Sequence, residues 1–199
     1  RDTLLVLGGG WGFPRRLAFL SGPATRGCRV VWFCHDLIPA LYPEFMMDSP
    51  GFATSFRTWL DSAIVNGHHF ICSTRFVEAD IQRYAAGTGA KVHISVVPLA
   101  HEFKPVAGYL RQEVESLAGR SFVLCAGAIA TRKNQIALLR AWHRLHREHG
   151  ENLPLLVLAG DLIDTASIES FLRETGEVGG KAMLLGPVSE AEMSALYRD

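Results

Sequence analysis

Short apolar runs of four to six residues recur along the chain, at 3–7, 29–34, 70–73, 92–97, 121–126, 154–159 and 182–185. Their character is near-continuous rather than alternating, which is the pattern of strands buried on both faces and predicts parallel sheets covered on both sides. Between them lie stretches with helical spacing, over 52–65, 74–86, 134–149 and 189–198. Ser73 and Asn134 stand where they would cap the second and third of these, and Ser189 with Glu192 three residues on is a capping box for the fourth. Leu138, Trp142 and Leu145 stack on one side of the third helix. Repeated strand–helix alternation implies an α/β fold with right-handed crossovers.

The pattern breaks once. After Val97 and Pro98 the chain has loop character to Pro105, and a polar helical stretch over 109–118 precedes the next strand. This predicts two doubly wound α/β domains, 1–105 and 106–199. Doubly wound domains usually approach about 100–150 residues, so each is expected to be incomplete.

Hydrophobic residues make up 48% of the chain, enough to bury a core, and twenty basic residues balance twenty acidic ones. A net charge of zero supplies no general drive toward nucleic acid or an anionic membrane surface, so any anion binding must be local. No apolar run approaches the roughly 20 residues of a membrane span, and the first residues lack the pattern of a secretory signal. A soluble, cytoplasmic protein is expected, with its true start upstream of Arg1 and a targeting segment there left open. Cys28, Cys34, Cys72 and Cys125 are far apart in sequence and read as buried free thiols of a reducing compartment. No metal site is expected. His143, His146 and His149 turn apart on a helix that also carries Arg140, Arg144 and Arg147, and read as a solvated face. His68 and His69 read as a loop pair before the third strand.

One loop carries chemistry. The strand ending at Ala126 is followed by Gly127, then by the adjacent cations Arg132 and Lys133, then by a helix that Asn134 opens. Cations at a helix N-terminus, where backbone N–H groups already favour negative charge, make a place to hold phosphate. A plain surface βα loop with a solvated Arg–Lys pair is the alternative.

Several segments, in order, resemble the retaining glycosyltransferases of the GT-B fold, in the large family 4 class that includes mannosyltransferases and sucrose synthase. His35, Asp36, Pro39, Pro43 and Glu44 are similar to that family's "HDL-P-x-x-x-P" segment, and the stretch from Phe70 through Ser73 to Asp80 to its strand–Ser–helix segment. Val96, Val97 and Pro98 with Phe103, Lys104 and Pro105 resemble the exit from its first domain. Residues 127–134 resemble the "VGTIEPRKN" loop, 155–160 the "LVIAG" strand, and Leu185, Gly186, Val188, Ser189, Leu196 and Tyr197 the "FLGxVS…LY" segment. Ala100 departs from the glycine of "PLG", and Ala130 and Thr131 replace the usual Glu-Pro.

The resemblance implies two Rossmann-like domains, the first on the acceptor side and the second binding a nucleotide-sugar. It implies a metal-independent hexosyltransferase without a cofactor, whose donor is a nucleotide-diphosphate sugar, with GDP-mannose as the first guess. The acceptor would be a saccharide or lipid-linked sugar, and the setting polysaccharide biosynthesis at the inner face of the membrane, through regions outside this chain. Lys133 and Arg132 would hold the diphosphate, and His35 would face the donor sugar; Gly127, Gly160 and Gly186, with Asp161, would admit nucleotide close to backbone. The family's Glu-x7-Glu segment is expected beyond Asp199 and its glycine-rich acceptor loop before Arg1, which makes this a central piece of a longer enzyme. A non-catalytic nucleotide-sugar-binding scaffold and a GT-B epimerase are the competing expectations. The epimerase requires paired carboxylates in the first domain, and none is evident.

Overall fold

A computed structural model describes residues 2–9, 11, 27–46, 51–100 and 104–198. Phe103 of the exit segment and the termini Arg1 and Asp199 lie outside the described residues. The chain divides into two compact units, Arg1–His101 and Glu102–Asp199.

The first unit is built on four parallel strands, β1 (Thr3–Val6), β2 (Arg29–Cys34), β3 (His69–Cys72) and β4 (His93–Val96), laid side by side in chain order. A short helix α1 (Ile38–Leu41) follows β2, and α2 (Phe52–Val65) and α3 (Arg75–Ala86) cross to β3 and β4. In α2 the buried residues Phe56, Trp59, Leu60, Ala63 and Ile64 follow the spacing of one helical stripe. In α3 Val77, Ile81 and Ala85 do the same. Both stripes enter one core with Trp32, Cys34, Phe70 and Cys72. Right-handed crossovers between strands taken in sequential order all fall on the same face of a sheet, which is why the two helices share it. On the opposite face Leu5 is 49% exposed and Phe33 and Ile71 are only half-buried. Val31 on that face is buried, so the expected cover on both faces is present only in part in this sheet among the described residues.

Two local readings change. Thr74, not Ser73, caps α3, accepting from the Val77 N–H at 3.2 Å. His68 lies in the connection before the third strand as expected, but β3 begins at His69, so the two are not both loop residues, and His68 is buried. The His68 Nδ1 is buried and accepts from the Trp32 indole N–H at 2.9 Å, while His69 stacks on His93 and lies 3.0 Å from the Ser95 hydroxyl. Burial holds both imidazoles below their ordinary pKa, with Arg29 and His93 adding to the effect on His69.

The second unit has three parallel strands, β5 (Phe122–Ala126), β6 (Leu155–Ala159) and β7 (Ala182–Gly186), again in chain order. Central β6 is buried along its whole length, so its alternate side chains serve two cores. Leu156 and Leu158 meet Leu139 and Trp142 of α5 (Gln135–His149) and Ile168 and Leu172 of α6 (Ala166–Glu174). Leu155, Val157 and Ala159 meet Val114 of α4 (Gln112–Glu115) and Ala195 and Leu196 of α7 (Glu190–Leu196). Here the sheet is covered on both faces.

The predicted helix over 109–118 shrinks to α4, whose one buried residue is Val114. Helix α6 was not foreseen, and neither was the turn after it. Gly176, Glu177, Val178, Gly179 and Gly180 all have left-handed dihedrals, with φ from 52 to 76°, and Val178 is fully buried at the centre. A Cβ on Gly179 would come 2.4 Å from the His146 Nε2. His146 is half-buried beside this turn and His143 half-buried edge-on to Phe171, so neither belongs to the solvated face expected, whereas His149, Arg140, Arg144 and Arg147 are exposed as expected. No helix among the described residues is long and apolar enough to cross a membrane.

Candidate functional site

All strands of a parallel sheet end on one edge, and open α/β sheets receive ligands there. In the second unit that edge is built from glycines. Gly127 follows β5, Gly160 follows β6 and Gly186 ends β7, and they are tied by hydrogen bonds from Gly127 N–H to Ala159 O and from Gly160 N–H to Gly186 O, each 2.8 Å. Gly160 has a specific reason to lack a side chain: its φ is 149° and a Cβ would stand 2.1 Å from the Gly127 carbonyl oxygen. Gly127, at φ 134°, has open space where its Cβ would be, so its requirement is conformational rather than steric.

From Gly127 the chain runs to a 3₁₀ turn, Thr131–Lys133, and into α5. The loop is pinned to the one after β6. Ile129, fully buried, pairs with Leu162; its N–H donates to Asp161 O at 2.7 Å and its carbonyl accepts from Ile163 and Asp164. The Gln135 side-chain amide donates to Ala128 O at 2.9 Å, and the Thr131 hydroxyl donates to the Asp164 carboxylate. Arg132 and Lys133 are exposed, and neither has an ion-pair partner among the described residues. Burial raises the Cys125 thiol pKa, and the Lys133 charge pulls it the other way.

Asn134 occupies the cap position but does not cap. Its backbone is left-handed, φ 55° and ψ 34°, whereas a capping side chain needs an extended backbone to fold back on the first turn, and it makes no such bond. The start of α5 is left without a side-chain acceptor, which suits an incoming anion.

In the first unit His35 directly follows β2, is exposed, and lies edge-on to Phe33 with ring centres 4.6 Å apart. Asp36 accepts from the Ile38 N–H at 3.0 Å and is thereby occupied as a turn residue. Gly127, Gly160, Gly186, Arg132 and Lys133 thus share one sheet edge, while His35 stands at the corresponding edge of the other unit.

All four cysteines are free; Cys34 and Cys72 are buried, while Cys28 and Cys125 are only half-buried, short of the full burial expected. Cys34 and Cys72 face each other in register, and burial, then the nearby Asp36 and Cys72 charges, push the Cys34 thiol up to about 12. Such a thiol is no nucleophile at neutral pH. Among the described residues no group of three His, Cys, Asp or Glu is placed to hold a metal. A cavity of about 240 Å³, lined by Arg111, Leu172, Glu177 and Met183 among others, shares no residue with the cation loop.

Sequence reasoning missed Thr131, Asp164 and Gln135 as the residues that fix this loop. Only Gln135 left a signal, as a polar residue opening an amphipathic helix.

Fold and site together define an α/β protein with two parallel-sheet units, one of which presents an unpaired cation loop at its C-terminal edge. No protein-family model matches the chain, and no curated protein matches it.

Proposed function

We propose that the chain forms part of a retaining glycosyltransferase of the GT-B type, with two Rossmann-like domains, that moves a hexose from a nucleotide-diphosphate sugar to a saccharide or lipid-linked acceptor. One observation carries the reading. Two adjacent cations without an acidic partner among the described residues precede the uncapped start of a 15-residue helix, on the edge of a parallel sheet where Gly160 can bear no side chain.

Breaking the anomeric C–O bond leaves negative charge on the diphosphate, and groups already in place where that charge develops lower the barrier. Guanidinium of Arg132 forks onto two phosphate oxygens, ammonium of Lys133 acts as a point charge, and the helix dipole of α5 adds to both. The acceptor hydroxyl attacks on the same face that the nucleoside diphosphate leaves and passes its proton to the departing phosphate oxygen, so no carboxylate nucleophile is required of the protein.

The test is a thermal-shift screen of the protein against GDP-, UDP- and ADP-sugars. A donor at 100 times its Kd stabilises by about 2.7 kcal/mol, and one nucleotide class is expected to do so. No shift with any of them overturns the assignment.

A further inference from the structure

We propose that Thr131 and Asp164 are positioning residues that keep Arg132 and Lys133 free to receive an anion, an inference that rests on the anion-site reading of that loop. The loop after β6 carries two acids, exposed Asp161 and half-buried Asp164. It cannot drift from the cation loop, because Ile129 is bonded to Asp161, Ile163 and Asp164 and paired with Leu162. Carboxylates are therefore fastened beside two long, flexible cationic side chains. Exposed Asp161 pairs with neither cation as it stands, whereas Asp164 is held against Thr131, next to Arg132, and once released its carboxylate would compete with phosphate for that cation. Instead an Asp164 oxygen accepts the hydroxyl of Thr131, the residue immediately before the cations, and both cations stay unpaired among the described residues. Threonine suits the task because its β-branch restricts the side chain to few rotamers. The hydroxyl thus holds a competing charge in place without neutralising it.

Binding of inorganic pyrophosphate and of GDP, measured by calorimetry at low and high salt, tests this with wild type, Thr131→Ser, Thr131→Val, Asp164→Asn and the Thr131→Val/Asp164→Asn double variant. Thr131→Ser is expected to bind like wild type. Thr131→Val releases the Asp164 carboxylate and weakens binding about fivefold at low salt, the size of an exposed ion pair, and the deficit shrinks at high salt. Asp164→Asn binds at least as tightly as wild type, and the double variant recovers what Thr131→Val lost. If the pair were only a structural tie, Asp164→Asn, whose amide oxygen still accepts from Thr131, would bind like wild type and the double variant would be as weak as Thr131→Val; failure of the double variant to recover binding overturns the proposal. Equal binding by wild type and Thr131→Val also overturns it, and leaves the anion site standing. Binding of neither probe by wild type overturns the anion site and this proposal with it.

Discussion

Lys133 and Gly160 show two different ways in which one residue can matter. Lys133 is exposed, so under the proposed function Lys133→Ala in the full-length protein is expected to lower sugar transfer more than tenfold while the melting temperature stays put. Turnover equal to wild type would remove it from the proposed mechanism. Gly160→Ala should do the reverse. Its Cβ would overlap the Gly127 carbonyl at 2.1 Å on a backbone that disfavours any side chain, and a loss of more than about 3 kcal/mol is expected in urea unfolding. The cation pair was legible in the sequence because adjacent charges after a strand and a glycine have a local signature. Thr131 was not, since its partner Asp164 stands 33 residues away and nothing near Thr131 announces it. His68 was misread for the same kind of reason: its partner Trp32 lies in another strand.

Among elements, α7 offers the sharpest test. Ser189 accepts from Glu192 N–H at 3.2 Å and Glu192 accepts from Ser189 N–H at 2.8 Å, so the capping box foreseen from the sequence is present. The same carboxylate accepts from Arg111 N–H at 3.3 Å and forms an ion pair with Arg111 Nε at 3.1 Å, although the Nε lies off the line of a hydrogen bond. The Ser189 N–H, followed by that of Arg111 and then its charge, holds the Glu192 carboxyl below the usual carboxylate range against the opposing effect of burial. A depressed folded pKa contributes stability that is present above the unfolded value of about 4.3 and is lost as pH falls through the folded one. Unfolding of Glu192→Gln followed from pH 7 to 3 should therefore show a smaller acid loss than wild type, from a lower starting stability at pH 7. Parallel curves would mean that Glu192 is not a source of acid sensitivity. Helices α2 and α5 were legible from their apolar stripes, and α6 carried one too in Ile168 and Leu172, too short to be decisive before the structure. The left-handed turn was not legible. Glu177 and Val178 have no preference for positive φ, and the turn persists because Val178 is buried among α5 and α6 side chains.

At the scale of the whole molecule, each unit has its own apolar core, and the chain between them, from Val97 to Tyr109, is exposed wherever it is described. Limited chymotrypsin digestion is expected to cut first at Leu99 or Tyr109 and to leave two resistant fragments, read by mass spectrometry. Early cleavage inside β2 or β6 would show that the units are not separately compact. The chain-order layout of both sheets has a further consequence for how the protein is made. Among the described residues, every strand after the first in its sheet pairs with the strand synthesised just before it, so on the ribosome each arrives after a pairing partner. Of the described strands, β1 and β5 alone must wait, unpaired and sticky, for a first partner still to be translated.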